Sequence, residues 1–554
     1  MCSVKDCDNS NFDNEDRCSL HCEKTNYQKD RCSKLLSNFY NNFIDYIIEE
    51  IFEDTDLLNE KFSKEEIKIY FQNNKLDNGG YNSVLKQILF IPSYIYFPTR
   101  DGRDSFDYLK ILNLFGKIHF NYCEFYLSHL NLNNIKCFFQ DCKFHNRWTL
   151  YNYNILKNED NVIYQTCEFN KTISNYTPEK STKLAVYRHS QFDYTCTFND
   201  SIKFDRVKFK DTLFNTNQYN YLEENTIKEL KFEYCTFEKK FKLNNYKIDE
   251  FICNDSIFED KFEFKDNIIK VFEVNNSNFN KIVDLCVSKF KRFCIKRSVF
   301  ENFVGFGKCT FGTSEKLNKE LTLFKYVTFK DLVNFRDTKF LSGLDIKNIN
   351  LQGGANFLDT QIELDNTPRE TFRIIKNSFD DMGNIIEANK FYYKEMQKRE
   401  EELKNNRSKD FFEWIVFKIH DISSNHSQNW LLPLYWIIII TFISSHIKEF
   451  FSQNNTEYYI IPLILNIIIM IYIFLEINIL KALTISYKII SIVGIYLIYS
   501  FATNDIILEN FTHLLNPFGK IGQDITFGLL IYKIVITYLI YQFIISIRQN
   551  TRRK

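Results

Sequence analysis

The chain has 554 residues, which is too long for one ordinary hydrophobic core, so we expect several structural units. Its 70 basic and 70 acidic residues balance, which argues against a nucleic-acid binder that works by bulk charge and against an acidic mimic of DNA. Only 15 glycines accompany 56 phenylalanines, which excludes collagen-like and glycine-rich β-roll architectures.

The first 32 residues contain the one cluster with ligand chemistry. Cys2, Cys7, Cys18 and His21 can supply four nitrogen or sulfur ligands around a short polar loop, and Cys22 is an alternative to His21. Such a set suits structural zinc in tetrahedral geometry. The spacing does not decide between His21 and Cys22, and free thiols without metal are the competing interpretation.

Residues 33–117 are predicted to form a helical N-terminal cap. Leu36, Tyr40, Phe43, Ile47 and Ile51 recur at helical spacing in the segment 33–54. A second helix is predicted to begin at the capping box formed by Ser63 and Glu66.

Residues 118–366 repeat a pattern of a small residue, any residue and then phenylalanine or another apolar residue. The repeat includes Cys123-Glu124-Phe125, Cys142-Lys143-Phe144, Cys167-Glu168-Phe169, Cys196-Thr197-Phe198, Cys235-Thr236-Phe237, Ser256-Ile257-Phe258, Ser277-Asn278-Phe279, Ser298-Val299-Phe300 and Cys309-Thr310-Phe311. Phe237, Phe258, Phe279 and Phe300 are 21 residues apart, and apolar residues recur every five residues within a turn. Four fives plus one residue predict the coil of a four-sided solenoid. The ten cysteines of this segment are interpreted as small core residues.

The repeat segment resembles the pentapeptide-repeat family. The resemblance implies an all-β, right-handed quadrilateral β-helix over about 250 residues of the chain. The family favours Ala-Asp/Asn-Leu repeats, whereas this chain uses a Cys/Ser-x-Phe form. The irregular stretches 145–165, 171–190, 215–230 and 312–322 are predicted to be insertions or loops, and a less regular right-handed β-helix is the alternative.

A helical hairpin is predicted at residues 367–409, with a break at Asp381-Met382-Gly383-Asn384. The sequence IIKNSFDDMGNIIEANKFYYKEM, which ends at Met396, resembles the hairpin that follows the repeats in membrane-anchored bacterial pentapeptide-repeat proteins. Its charged residues are interpreted as the solvated face of an amphipathic helix.

Residues 410–424 are predicted to form a helix that lies in the membrane interface, and residues 425–554 a membrane domain. Four hydrophobic stretches, at 431–447, 458–480, 482–502 and 525–547, have lengths that suit spanning helices. The first is the shortest and contains Pro433 and His446, so it is predicted to be the weakest span. Glu476 and Lys488 are predicted to lie at similar depth and to form a pair.

Basic residues before the first span and in the tail 548–554 place both termini and the β-helix in the cytoplasm, in a multi-pass arrangement in the cell (inner) membrane. The polar first 30 residues do not have the pattern of a secretory signal peptide, and unpaired thiols fit a reducing compartment.

The sequence lacks the phosphate-loop, dinucleotide, HExxH and G-x-S-x-G motifs, and its 9 histidines do not cluster. We therefore expect no enzyme activity. The expected function is a membrane-anchored scaffold or interaction protein that contacts the lipid bilayer and a protein partner, without nucleic acid, and that forms a homo-oligomer through its membrane domain. The alternative is an ion channel or transporter-like protein that is regulated by its cytoplasmic β-helix.

Overall fold

The computed structural model describes residues 1–4, 7–27, 33–54, 63–72, 79–99, 106–132, 134–176, 184–215, 225–315, 320–405, 410–452, 456–475, 485–516 and 526–551. The chain divides into two compact units, Met1–Thr367 and Pro368–Lys554.

The first unit is a parallel β-solenoid of about 10 turns with helices in its N-terminal part. The helices are Thr25–Tyr27 (3-10), Ser33–Asp54, Lys64–Gln72, Gly79–Leu85 and Tyr108–Leu112. The strands up to residue 215 are Leu89–Phe90, Tyr96–Phe97, Lys117–Asn121, Glu124–Phe125, Lys136–Gln140, Lys143–Phe144, Trp148–Leu150, Asn154–Ile155, Val162–Gln165, Glu168–Phe169, Ile173–Asn175, Ala185–Tyr187, Ser190–Asp193, Thr197–Phe198, Ile202–Asp205, Val207–Phe209 and Phe214–Asn215.

The later coils are more regular. Their strands are Asn225–Glu233, Thr236–Phe237, Phe241–Lys242, Tyr246–Asn254, Ile257–Phe258, Phe262–Glu263, Ile268–Asn275, Asn278–Phe279, Val283–Asp284, Lys289–Lys296, Val299–Phe300, Val304–Gly305, Thr310–Phe311, Thr322–Phe329, Val333–Asn334, Lys339–Phe340, Leu344–Leu351, Ala355–Asn356 and Gln361–Ile362. Each central coil contributes one long strand and two short ones, and each strand pairs in parallel with its equivalent in the next coil.

The predicted 21-residue period is confirmed by the register of the strands. Phe237 pairs with Phe258, Phe258 with Phe279, and Phe279 with Phe300. Their rings stack with centroid separations of 4.6, 4.8 and 4.7 Å, which match the spacing between neighbouring strands. All four side chains are buried, so the inward register that was predicted for them is correct.

The small residue that precedes each short strand fills a corner and also bonds to the chain. The Ser277 hydroxyl donates to the carbonyl of Asn275 at 3.0 Å and accepts from the amide of Ser256 at 3.2 Å. Cys235 occupies the equivalent place and donates its thiol to the carbonyl of Glu233 at 3.3 Å. Most cysteines of the repeat are buried, as expected for core residues, whereas Cys286 and Cys294 are only half-buried.

The corners before Cys235, Ser256, Ser277 and Ser298 turn without glycine. Tyr234, Asp255, Asn276 and Arg297 immediately precede the small corner residues and have φ values of 52°, 49°, 50° and 49°. These values lie in the left-handed region, which asparagine and aspartate tolerate best among residues that carry a Cβ. The solenoid therefore turns its corners with few glycines.

The N-terminal helices cover the first coil. The predicted apolar face of the helix Ser33–Asp54 is buried, and its Phe43 ring contacts the Phe97 ring at 5.7 Å. The capping box is present: the Ser63 amide donates to Glu66 at 3.0 Å, and the Glu66 amide donates to the Ser63 hydroxyl at 3.3 Å. The first strands pair ahead of residue 118, so the solenoid begins earlier than the predicted boundary.

One of the four stretches predicted to be irregular is regular in the structure, and the other three are only partly described. Residues 145–165 contain three strands that pair into the sheets. Residues 177–183, 216–224 and 316–319, which fall in the other three stretches, lie outside the described residues.

The second unit is helical. Its helices are Arg369–Asp381, Ile385–Asn405, Phe411–Ser424, Leu431–Ser452, Thr456–Leu475, Ile485–Thr503, Glu509–Leu515 and Phe527–Thr551. The predicted hairpin is present, and its break contains Gly383 at φ 73°. Because this conformation is in the left-handed region, glycine suits it best.

By length and composition, two helices of the described chain could cross a membrane: Leu431–Phe451 and Phe527–Gln549. The predicted spans 458–480 and 482–502 have shorter apolar helical segments, Ile460–Tyr472 and Lys488–Thr503. The first predicted span, 431–447, belongs to a longer helix than expected. Its helix continues to Ser452, and Pro433 lies in the first turn, where its missing N–H disrupts no helical hydrogen bond. The predicted Glu476–Lys488 pair includes Glu476, which lies outside the described residues.

Replacing Phe279 with alanine tests the stacked core. We expect Phe279→Ala to lower the free energy of unfolding of residues 1–367 by about 3–5 kcal/mol, because it removes one ring from a buried stack. Urea unfolding followed by circular dichroism measures this change. The control is Asn278→Ala, whose exposed side chain lies on the other face of the same strand. Equal stability of the two variants would contradict the inward register.

Candidate metal centre

The four residues predicted from the sequence lie together at the N-terminus. The ligand atoms of Cys2, Cys7, Cys18 and His21 all fall within 4.8 Å of one another. The Cys7 and Cys18 sulfurs are 3.7 Å apart, and His21 Nδ1 is 3.5 Å from the Cys2 sulfur and 3.3 Å from the Cys18 sulfur.

These separations fit a tetrahedral ion. Zinc–sulfur bonds of about 2.3 Å and zinc–nitrogen bonds of about 2.0–2.1 Å place two sulfurs about 3.8 Å apart, and a sulfur and a nitrogen about 3.5 Å apart. The donor set of three sulfurs and one imidazole also suits zinc. The residues present therefore fit a structural zinc ion.

Local backbone turns bring the ligands together. The amides of His21 and Cys22 both donate to the carbonyl of Cys18, which closes a tight turn that points His21 back at the Cys18 thiol. The amide of Cys2 donates to the carbonyl of Asn9 at 2.9 Å and closes the loop that carries Cys7. Two further donors reach the sulfurs: the Cys18 amide lies 3.3 Å from Cys2 Sγ, and Asn9 Nδ2 lies 3.6 Å from Cys7 Sγ.

Cys22 points elsewhere. Its buried side chain packs with Phe12 and Leu35, and its sulfur lies 3.4 Å from the ammonium of Lys24. The geometry thus groups His21, and not Cys22, with the three other thiols.

The site is buried and flanked by positive charge. Burial lowers the pKa of His21 to about 4, so its imidazole is neutral at neutral pH and can coordinate a cation. Burial also raises the pKa of Cys18 to about 12, so a bound cation would have to displace its proton. Lys24 is 1% exposed, and burial lowers its pKa to about 8. Zinc with three thiolates carries a net negative charge, which a neighbouring ammonium offsets.

The cluster rests on the first coil of the solenoid. The amide of Tyr96 donates to the carbonyl of Leu20 at 2.9 Å, and Arg17 donates to the Tyr96 hydroxyl at 3.3 Å. The Asn42 side chain donates to Ser19 at 2.9 Å from the helix Ser33–Asp54. A metal here would therefore join the N-terminal segment to the end of the β-stack.

A second group of ligand-type residues was missed. Glu400, Asp421 and His426 come together in the helical unit, and His420 Nδ1 lies 3.2 Å from His426 Nδ1. The expectation that the histidines do not cluster is therefore wrong. The signal available in the sequence was the short segment His420-Asp421-x4-His426, but its contact with Glu400 requires the packing of two helices.

Comparison of the chain with models of protein families, with curated proteins and with solved structures finds no match.

The metal prediction is tested by elemental analysis of purified residues 1–367. We expect about one zinc per chain, lost in Cys7→Ser and in Cys18→Ser because three ligands bind zinc far more weakly than four. Cys22→Ser is the matched control and should keep its zinc. Absence of zinc from freshly prepared protein would remove the ion from this account, and loss of zinc in Cys22→Ser would refute the assignment of His21.

Proposed function

We propose that the protein is a membrane-anchored, non-catalytic scaffold of the pentapeptide-repeat type, with a right-handed quadrilateral β-helix that presents a binding surface. The observation that carries this proposal is the phenylalanine stack with a 21-residue repeat. A coil of four five-residue sides plus one residue accounts for that period, and the small buried corner residues Cys235, Ser256 and Ser277 account for the Cys/Ser-x-Phe pattern.

Two apolar helices and one amphipathic helix support the membrane part of the proposal. In the helix Phe411–Ser424, Phe412, Val416 and Ile419 are 82%, 63% and 48% exposed, and their spacing places them on one face. Large apolar side chains in water are unfavourable, so this face suits the boundary between lipid headgroups and acyl chains. We propose four spans, with the β-helix and both termini in the cytoplasm of the cell (inner) membrane.

The long strands form the proposed binding surface. Their outward side chains include ion pairs between coils: Lys270 with Asp249 at 2.8 Å and Arg292 with Glu273 at 3.3 Å. Both signs alternate on this surface, which suits a protein partner better than a phosphate backbone. Structural zinc at the N-terminus would hold the cap against the first coil.

A second candidate function is an ion channel or transporter that is regulated by the β-helix. Buried polar side chains within the apolar helices favour it: Asn466 Nδ2 lies 3.2 Å from His446 Nδ1, and both residues are at most 1% exposed. Polar residues at membrane depth are costly and are common on ion or substrate pathways. Ion-flux assays on the reconstituted full chain separate this function from a simple anchor.

Site-specific photo-crosslinking tests the scaffold function. We expect a crosslinker at Glu250 or Lys291, which are exposed on the long strands, to capture one discrete protein in intact membranes. The matched control is a crosslinker at Lys281, which is exposed between two short strands and should not capture it. Absence of a discrete adduct, together with ion flux through the reconstituted protein, would favour the channel instead.

Topology is tested with reporter fusions in a Gram-negative host. Basic residues resist translocation, at about 2.5–3.5 kcal/mol per charge at a helix centre, so the C-terminal tail should remain cytoplasmic. We expect alkaline phosphatase fused after Lys554 to be inactive and green fluorescent protein fused there to fluoresce. The same reporters inserted at Asn454 should give the reverse result. Active phosphatase after Lys554 would mean an odd number of spans.

A further inference from the structure

The second group of ligand-type residues joins two helices and a turn in the helical unit. Glu400 belongs to the helix Ile385–Asn405, Asp421 to the helix Phe411–Ser424, and His426 to the turn that follows. His426 Nε2 lies 3.8 Å from Glu400 Oε2 and 3.8 Å from Asp421 Oδ1. The exposed fractions of these side chains are 1% for His426, 7% for Asp421 and 25% for Glu400.

Lys418 lies beside this group and pairs with only one oxygen of each carboxylate. Lys418 Nζ lies 3.1 Å from Glu400 Oε1 and 3.2 Å from Asp421 Oδ2. It therefore binds one oxygen of each carboxylate, while the other oxygen of each faces the imidazole. With the imidazole neutral, the two carboxylates and the one ammonium carry a net negative charge, which a further cation would offset.

His426 is held with its Nε2 toward the carboxylates. Its Nδ1 is 3.2 Å from His420 Nδ1, and His420 Nε2 is 3.2 Å from the Ser427 hydroxyl. His426 Nε2 itself is fully buried and has no hydrogen-bond partner among the described residues. When Nε2 carries no proton, its lone pair faces two carboxylate oxygens that repel it, and a proton or a metal ion between them relieves the repulsion.

The backbone that places the His426 ring has an unfavourable conformation. Asn425, His426 and Ser427 are three consecutive residues with φ values of 51°, 52° and 64°. Such conformations are unfavourable for residues that carry a Cβ, and the turn is held by the Ser427 amide, which donates to the Ser424 hydroxyl at 2.9 Å.

A metal ion explains the distances better than a proton does. Hydrogen bonds from an imidazole N–H to oxygen are about 2.7–3.2 Å long, and neither carboxylate is that close. The three donor atoms lie within 4.8 Å of one another, so a point between them is roughly 2.2–2.5 Å from each, close to metal–ligand bond lengths. One imidazole and two carboxylates suit a first-row divalent ion such as Zn²⁺, Mn²⁺ or Fe²⁺.

We propose that Glu400, Asp421 and His426 form a second metal site, which binds one divalent transition-metal ion. The second nitrogen of the ligating imidazole is oriented by His420, as is usual for metal-bound histidines. Three protein ligands leave a coordination position for water, on the side where Glu400 is partly exposed. The ion ties the hairpin to the helix Phe411–Ser424 and to the turn that leads into the first apolar helix.

The test uses Mn²⁺ and the full chain in detergent, with Cys7→Ser and Cys18→Ser present so that the N-terminal cluster binds nothing. Electron paramagnetic resonance distinguishes bound from free Mn²⁺. We expect about one bound ion per chain in this parent protein. Glu400→Gln and His426→Gln should each weaken binding by roughly 100-fold or more, because loss of a second-shell partner alone costs 10–100-fold.

The matched control is Glu413→Gln, which removes a carboxylate that pairs with Arg399 at 2.7 Å on the same two helices but is not in the cluster. It should bind Mn²⁺ like the parent. Thermal unfolding of the parent, with Mn²⁺ or Zn²⁺ against chelator, gives a readout that does not depend on whether the variants fold. The site would be overturned if the spectrum showed only free Mn²⁺ and neither metal raised the unfolding temperature of the parent protein. It would also be overturned if a folded His426→Gln variant bound Mn²⁺ as tightly as the parent.

Discussion

The β-solenoid depends on one constraint, which is that inward phenylalanines in successive coils stack at the spacing of the strands. The ring separations of 4.6–4.8 Å in the stack that contains Phe258 leave no room for a change of register. A one-residue slip would turn each ring out to solvent. The small corner residues follow from the same constraint, because two large side chains cannot share one corner.

Much of this could be predicted from the sequence because the information is local and repeated. The 21-residue spacing of Phe237 to Phe300 carries the register, and Cys or Ser two residues earlier marks the corner. The hairpin break at Gly383 and the capping box at Ser63 are also local signals. The grouping of Cys2, Cys7, Cys18 and His21 follows from short loops.

Other features of the fold and of the two clusters depend on conformations or tertiary contacts that have no signal in the local sequence. Tyr234 and Arg297 adopt left-handed φ values at corners, which their residue types do not favour. The hydrogen-bonded strands before and after each corner impose this conformation. Cys22 is excluded from the N-terminal Cys/His cluster by its packing with Leu35, a tertiary contact. His426 meets Glu400 only because two helices pack together and three left-handed residues follow one of them.

The two clusters differ in chemistry as well as in place. Three sulfurs and one imidazole near the N-terminus form a soft, closed set, whereas two carboxylates and one imidazole in the helical unit form a harder set with an open position. Zinc at the first would stabilise the end of the stack. An ion at the second would fix the turn that precedes the helix Leu431–Ser452. In both places the proposed ion would have a structural role.

The central claim, continuous stacking of coils in one register, is tested most directly by a distance measurement. Ile257 and Asn350 lie on one ladder, linked through Asn278, Val299 and Thr328, although far apart in sequence. Double electron–electron resonance between spin labels at Ile257 and Asn350 should give a single narrow distribution near 19 Å, which is about four strand spacings. A broad distribution, or a distance well beyond the reach of four coils, would contradict the stacked solenoid.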